Sequence, residues 1–354
     1  MAALRGFSAK LWPFATTGRA PPTMTSLTDT LAFGPGLDIA ARSDASISKL
    51  QVPENQDNIL LIDGRGRAVF LRDQAECSAQ LDGWPAGHVR LAVMDGMGGH
   101  GNGRQAAEAV AHGLLGVPAC ATLEQLATRL DALHGALQSH FRSATDHDDF
   151  RRPGTTLTLI EIPPGQAPLL YHVGDSRLYE ITPEAAEPLT VDHVPATAFA
   201  LHGLLGAQEW WQQVHGEHRA QISQAFILGN AFANPQVLDD GLCALTSARL
   251  PTFLRHLADR RALVPRAGAV YLLATDGFWA CAKPQAWTER WPELLAQRGQ
   301  DASAVLGQLF DEFAQRPPPG LHIDNVSAIV LRFAAPANVD ETALPNARFQ
   351  PLSS

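Results

Sequence analysis

Three aspartates in this chain stand at the ends of apolar runs: Asp95 after Leu91–Met94, Asp276 after Tyr271–Thr275, and Asp324 after Leu321–Ile323. A fourth, Asp57, comes shortly before the apolar run Ile59–Ile62. A strand that ends in a carboxylate delivers that charge to the edge of its sheet. A glycine next in sequence, as in Asp95-Gly96 and Asp276-Gly277, leaves the backbone carbonyl open to a close ligand. Carboxylates gathered at one sheet end repel, so they are tolerated together when they share protons or bind cations. An all-oxygen ligand set without Cys or His selects hard ions, magnesium or manganese rather than zinc or copper. Two such ions activate a bridging water and neutralise a phosphoryl group together. Any one of these aspartates alone reads as a turn residue or a helix cap. Their repetition at strand ends is what points to metal chemistry.

The elements that must position these groups are legible as short apolar runs with turn signals at their ends. Strands are expected over 59–62, 89–94, 155–162, 169–173, 177–181, 270–274 and 326–333. Helices are expected over 105–115, 122–141, 251–262 and 302–313. Two helices follow one another after Met94, and several strands follow one another with no helix between, so the order is not the regular alternation of a doubly wound sheet. Two packed sheets flanked by helices suit it better. The stretch from about 196 to 245, with Trp210, Trp211 and few β-branched residues, reads as an insertion or flap whose aromatic residues form a local core.

With 354 residues, 45% of them hydrophobic, the chain can bury a large core. The net charge of −9, with basic residues scattered, provides no cationic stripe for a nucleic-acid backbone. No apolar run approaches the roughly 20 residues that cross a bilayer, so no membrane association is expected. Cys77, Cys120, Cys243 and Cys281 are too dispersed for a zinc site or a disulfide scaffold, which fits a reducing cytoplasm. Residues 1–28 carry basic but no acidic side chains and three prolines, and read as a disordered or leader-like extension. Residues 29–335 then form the main domain, and 336–354 a solvated tail.

At the aspartates a family resemblance becomes specific. The chain resembles the type-2C, metal-dependent serine/threonine protein phosphatases of the bacterial style. The resemblance rests on Asn55-Gln-Asp57, Asp95-Gly-Met-Gly-Gly-His100, Gly154-Thr-Thr156, Gly174-Asp-Ser-Arg177, Asp192-His193, Leu228-Gly-Asn230, Ala274-Thr-Asp-Gly-Phe-Trp279 and Asp324-Asn-Val326, in the family's order from about residue 50 to 333. It implies an α+β fold, two packed antiparallel β-sheets flanked by helices in a four-layer αββα sandwich. It also implies hydrolysis of phosphoserine or phosphothreonine in proteins by a water bridging two Mn2+ or Mg2+ ions. Asp95 would bridge both ions, the Gly96 carbonyl would complete one, and Asp276 with Asp324 would hold the other. Asp57 would act beside them directly or through a water, so that Asp95 and Asp57 carry the catalysis. Asp175 would contribute to a third, weaker ion. The implied partners are phosphorylated proteins marked by a serine/threonine kinase, met by a monomeric enzyme.

The departures from the family pattern are equally specific. Val52 stands where relatives carry a phosphate-gripping arginine, leaving Arg42 or Lys49 as upstream substitutes, each of which also reads as plain solvated surface. Ala280 stands where many relatives have a further aspartate. Met97 follows Asp95-Gly96 where eukaryotic relatives place a histidine, so the proton for the leaving oxygen comes from His100 or from a metal-bound water; the water is favoured, with His100 bracing its loop. His193 and His322 read equally as loop supports. Two other readings compete. Gly174-Asp-Ser-Arg-Leu178 superficially resembles an esterase nucleophile block, without the late Asp-x-x-His that such enzymes need. The other is a catalytically weak, phosphatase-like module that binds a kinase or phosphoprotein, motivated by the missing arginine.

Overall fold

The computed structural model describes residues 27–46, 54–97, 102–144, 152–297 and 300–334. The C-terminal tail, most of the N-terminal extension, and Lys49, Val52 and His100 lie outside the described residues.

The chain opens with strands β1 (Leu37–Asp44), β2 (Asp57–Ile62), β3 (Arg67–Arg72), β4 (Ala75–Gln80) and β5 (Val89–Met97). Helices α1 (Gly103–Leu115) and α2 (Leu123–Ala144) follow. Next come β6 (Gly154–Thr155), β7 (Leu157–Ile162), β8 (Leu169–Val173), β9 (Arg177–Ile181) and β10 (Ala186–Pro188). A mainly irregular stretch carries α3 (Pro195–Leu201), α4 (Ala207–Trp211), a π-helical turn over Gln212–Gly216, β11 (Gln224–Ala225) and β12 (Gly229–Asn230). The remainder is β13 (Arg260–Ala262), β14 (Val270–Ala274), α5 (Pro284–Thr288), α6 (Trp291–Leu295), α7 (Ala302–Gln315) and β15 (Val326–Phe333).

Two antiparallel sheets dominate. One runs β1-β15-β14-β9-β10, and the other β13-β8-β7-β5-β2-β3-β4 with β6 attached to β5. Strand periodicity explains the layering. In β2, Ile59 and Leu61 enter the core between the sheets, while Leu60 and Ile62 face the core under α1 and α2. In β14, Tyr271 and Leu273 point between the sheets, while Val270 and Leu272 face α5–α7. Both faces of the central strands are therefore buried, which is why these antiparallel strands read as unbroken apolar runs rather than as alternation. The result is the four-layer αββα sandwich.

The structure corrects the reading at two elements. Residues 251–262 are not a helix: a 3-10 turn over Thr252–Leu257 buries Leu254 and Leu257, and Arg260–Ala262 then pairs with β8. The Asp259 carboxylate, which accepts from Leu245 N at 2.7 Å, pins the chain where it changes direction. The strand expected over 155–162 is interrupted at Thr156, whose N–H donates to Asp95 O at 2.9 Å. Strands β1, β3 and β4 escaped the apolar pattern because they carry charges: β1 reads Leu-Asp-Ile-Ala-Ala-Arg-Ser-Asp and is held by full-length pairing with β15.

A buried ion pair locks α1 to the sheet that carries Asp95. Arg90 of β5 stands opposite Glu161 of β7 and donates to it at 2.6 and 2.9 Å, and its other N–H groups reach the carbonyls of Leu114, Val117 and Pro118. Burial alone would raise the Glu161 carboxyl, but the Arg90 charge and hydrogen bonds from His88, Arg90 and Cys120 N hold it below its usual range. A carboxyl depressed in the folded state contributes stability above its unfolded value of about 4.3, and that stability is lost as pH falls through the folded value. Arg90→Ala is expected to cost about 3–5 kcal/mol at neutral pH, because Glu161 would be buried without its counter-charge. Urea unfolding checks this, and the difference from wild type should narrow in acid, where Glu161 of the variant takes up a proton.

Candidate active site

Antiparallel register carries the acidic residues to one end of both sheets. Asp57, at the start of β2, pairs directly with Asp95 near the end of β5. In the other sheet Ala274, the last residue of β14, pairs with Ala328 of β15 and with Arg177 of β9. Asp276 after β14, Asp324 before β15 and Asp175 before β9 are thereby brought to a common edge. One hydroxyl joins the two sheets here: Thr275 Oγ1 donates to Asp57 Oδ2 at 2.8 Å and accepts from Ser327 N at 3.0 Å.

The backbone around each acid is tied down. Asp95 N donates to Thr156 Oγ1 at 2.8 Å, and Asp95 O accepts from Thr155 Oγ1 and Thr156 N, each at 2.9 Å. Asn325 Oδ1 accepts from Gln56 N at 2.8 Å, while its amide donates to Ala45 O at 2.7 Å and Glu54 O at 3.1 Å, knitting the Asp57 and Asp324 segments together. Two glycines permit the close approach. A Cβ at Gly96 would lie 2.2 Å from Gly103 O, and one at Gly277 would lie 2.0 Å from Asn325 O. Any side chain at either position would push these segments apart.

Asp57 is buried; Asp95, Asp175 and Asp276 are half-buried and Asp324 is exposed, so the cluster opens to solvent. Proton affinity is raised at all five, and burial is the largest cause at Asp57, Asp95, Asp175 and Asp276. Asp57 is pushed up to about 7 despite hydrogen bonds from Thr275 and Ser327. Asp276 is pushed up to about 7, with the charge of Asp324 as the second cause. Asp95 is raised well above the carboxylate range by burial and then by Asp57, Asp276, Asp324 and Asp175. Asp175 is raised by burial and then by Asp276 and Asp192. These carboxyls therefore feel one another as like charges.

The cluster fits a hard divalent cation in its chemistry. Its donors are all oxygen, and Asp57 Oδ1 is buried without a hydrogen-bond partner. Among the described residues, however, no three Asp, Glu, His or Cys side chains are already drawn around an ion-sized point. The five aspartates converge without enclosing one.

Other residues singled out in the sequence take structural places. Arg42 donates to Asp44 Oδ2 at 3.0 and 2.6 Å and lies 4.3 Å over the Phe310 ring of α7, so it is engaged on the helix side of its sheet. Ser176 is fully buried and shares a 2.7 Å hydrogen bond with Thr156 Oγ1, a position unsuited to an esterase nucleophile. His193 is fully buried, its Nδ1 accepting from Gly174 N at 3.2 Å and from the Gln224 amide at 2.9 Å. Ala280 is buried and its carbonyl accepts from His322 N at 2.7 Å. His322 itself is exposed, its ring 5.7 Å from that of His218.

Sequence reasoning missed the orienting role of Thr275 and the linking role of Asn325, although both lie inside quoted motifs. It also missed a cavity of about 290 Å³ beside the cluster, lined by Asp175, Arg177, Asp192, Asp276 and Trp279 and by residues of the 194–235 stretch. That stretch has a core of its own, in which Trp210 packs with Ala196, Val214, Phe232, Leu250 and Leu254.

Sequence comparison alone matches no protein-family model and no curated protein. Comparison of the fold with solved structures finds similar ones. An S. agalactiae serine/threonine phosphatase is 17% identical, with a TM-score of 0.56 over 84% of this chain and 99% of that one. The catalytic domain of the serine/threonine protein phosphatase PstP, in complex with two manganese ions, is 22% identical, with a TM-score of 0.52 over 85% and 99%. The PPM Ser-Thr phosphatase MsPP from Mycobacterium smegmatis, in complex with cacodylate, is 20% identical, with a TM-score of 0.52 over 85% and 100%. The chain has the fold of the type-2C, or PPM, serine/threonine phosphatases.

Proposed function

We propose that this chain is a metal-dependent protein phosphatase that hydrolyses phosphoserine and phosphothreonine, with its metal ligands in Asp57, Asp95, Gly96, Asp276, Asp324 and, for a weaker third ion, Asp175. The observation that carries this reading is the convergence of five aspartates from separate elements on one edge, each with its proton affinity raised. A set of like charges so placed is costly to keep unless cations neutralise it. When bound, Mn2+ or Mg2+ would supply an activated water and charge neutralisation for the phosphoryl group. The chain's own residues set the geometry. Thr275 holds Asp57 by one oxygen and leaves Oδ1 without a hydrogen-bond partner, and bonds from Thr155 and to Thr156 tie down the Asp95 backbone. The fold of manganese-bound PstP supports the choice of metal.

A second reading, a catalytically weak module that binds a phosphoprotein or kinase, is favoured by one observation, Val52 in place of the phosphate-gripping arginine. Manganese-stimulated release of phosphate from a phosphothreonine peptide separates the two. Turnover supports the hydrolase; tight peptide binding without turnover supports the module.

The leaving oxygen of serine or threonine needs a proton, a contribution of about 10²–10⁴-fold from a positioned acid. In this reading water supplies it, and His100→Ala is expected to leave the ratio of phosphoserine-peptide to p-nitrophenyl phosphate rates nearly unchanged. The aryl leaving group hardly needs protonation, so a selective loss of about a hundredfold on the peptide would make His100 the acid instead.

A further inference from the structure

The cavity beside Asp175 and Asp276 is not needed to hold the phosphoryl group, yet it adjoins the place where that group would sit. Its walls are mixed: Val194, Ala196, Phe199, Val214 and Trp279 contribute apolar surface, beside the uncharged polar side chains of Gln213 and Gln221 and the ring of His218. The charges in those walls cancel in pairs. Arg177 grips Asp192 at 2.7–3.1 Å, and Arg219 pairs with Glu217 at 3.0 Å near the exposed rim. What remains is a pocket with the proposed metal ligands Asp175 and Asp276 at one end and an apolar patch around Phe199 and Trp279 in a body whose charged side chains are paired. Phe199, 41% exposed, presents a large ring there with too little cover.

A phosphorylated side chain seated at the cluster belongs to a polypeptide that continues past Asp276. Extended chain advances about 3.3 Å per residue, so a residue one to three positions from the phosphoresidue reaches the pocket. An apolar side chain would lose water against Phe199 and Trp279, whereas an acidic one would be desolvated where the lining arginines, Arg177 and Arg219, are already paired with Asp192 and Glu217. The volume of about 290 Å³ has room for a residue as large as leucine or phenylalanine. We infer that this cavity is a specificity subsite that accepts an apolar side chain flanking the phosphoserine or phosphothreonine of the substrate protein. The subsite rests on the phosphatase reading above, and it names the substrate class that reading leaves open: phosphopeptides with a bulky apolar neighbour.

The test is a set of phosphothreonine peptides with Leu or Asp at each of the three positions on either side, assayed with manganese beside p-nitrophenyl phosphate, which has no flanking residue. At one position Leu is expected to exceed Asp in kcat/KM by about tenfold or more, in line with the discrimination hydrophobic pockets achieve. In Phe199→Ala, and in Gln213→Trp, whose indole would fill the cavity, that ratio is expected to fall toward one. Hydrolysis of p-nitrophenyl phosphate with equal rates on Leu and Asp peptides would overturn the subsite and leave the phosphatase reading standing. A preference untouched by both variants would likewise overturn the assignment to this cavity. No turnover of any of these substrates would overturn the phosphatase reading and the subsite with it.

Discussion

Asp95→Asn and Asp276→Asn are each expected to lower phosphopeptide turnover by about a thousandfold or more. A metal clamp on a phosphoryl group supplies several kcal/mol of charge stabilisation. Each factor of ten in rate corresponds to about 1.4 kcal/mol, so three such factors are well within reach of losing that clamp. Asp175→Asn, at the weaker position, is expected to cost only about tenfold, the scale of a supporting ligand. The same substitutions should act on stability in the opposite direction. Asp95 feels four other aspartates, so replacing it by the neutral amide removes repulsion that the folded chain must otherwise bear. Metal-free Asp95→Asn should therefore melt above metal-free wild type while losing activity, the exchange of stability for function expected of a strained site. Near wild-type turnover in Asp95→Asn, or two tight manganese sites in that variant by calorimetry, would overturn the ligand assignment.

The second large effect concerns the ions themselves. Removal of divalent cations with a chelator is expected to abolish turnover, and return of manganese to restore it, because carboxylate and carbonyl sites bind hard ions moderately and exchange them. The melting temperature gives a readout independent of activity. Manganese at about a hundred times its dissociation constant stabilises the folded chain by about 2.7 kcal/mol per site. The upward shift should be present in wild type and largely absent in Asp95→Asn. Undiminished turnover in a verified metal-free sample would remove the basis of the two-ion proposal.

Much of this architecture was legible in residue order, for a physical reason. The central strands are buried on both faces, so β2, β5, β14 and β15 announce themselves as apolar runs, and the acids that end them stand out against that background. Peripheral strands did not, because β1 and β4 take their conformation from pairing with β15 and β3 rather than from their own side chains. The misread segment at 251–262 failed for a related reason: Leu254 and Leu257 have helical spacing, but the backbone bonds beyond Ala258 go to β8. At the site, spacing identified which carboxylates matter but not what orients them. Thr275 and Asn325 act across more than two hundred residues, Thr275 on Asp57 and Asn325 on Gln56, and no local pattern encodes such partners. The cavity was equally illegible, since its walls are scattered between Asp175 and Trp279.

The position of β15 ties the acidic edge to the order in which a ribosome delivers the chain. This strand is the last described element, yet it lies inside its sheet, between β1, among the first made, and β14. Until it inserts, both neighbours expose an unpaired edge, the kind of surface that recruits wrong strands from other molecules. The same insertion brings Asp324 and, next to it, Asn325, whose side chain joins the Asp57 segment to the far sheet. A nascent chain stalled before Asp324 would thus carry two open edges and an incomplete set of acids, so completion of the sheet and completion of the site are a single late event in biogenesis.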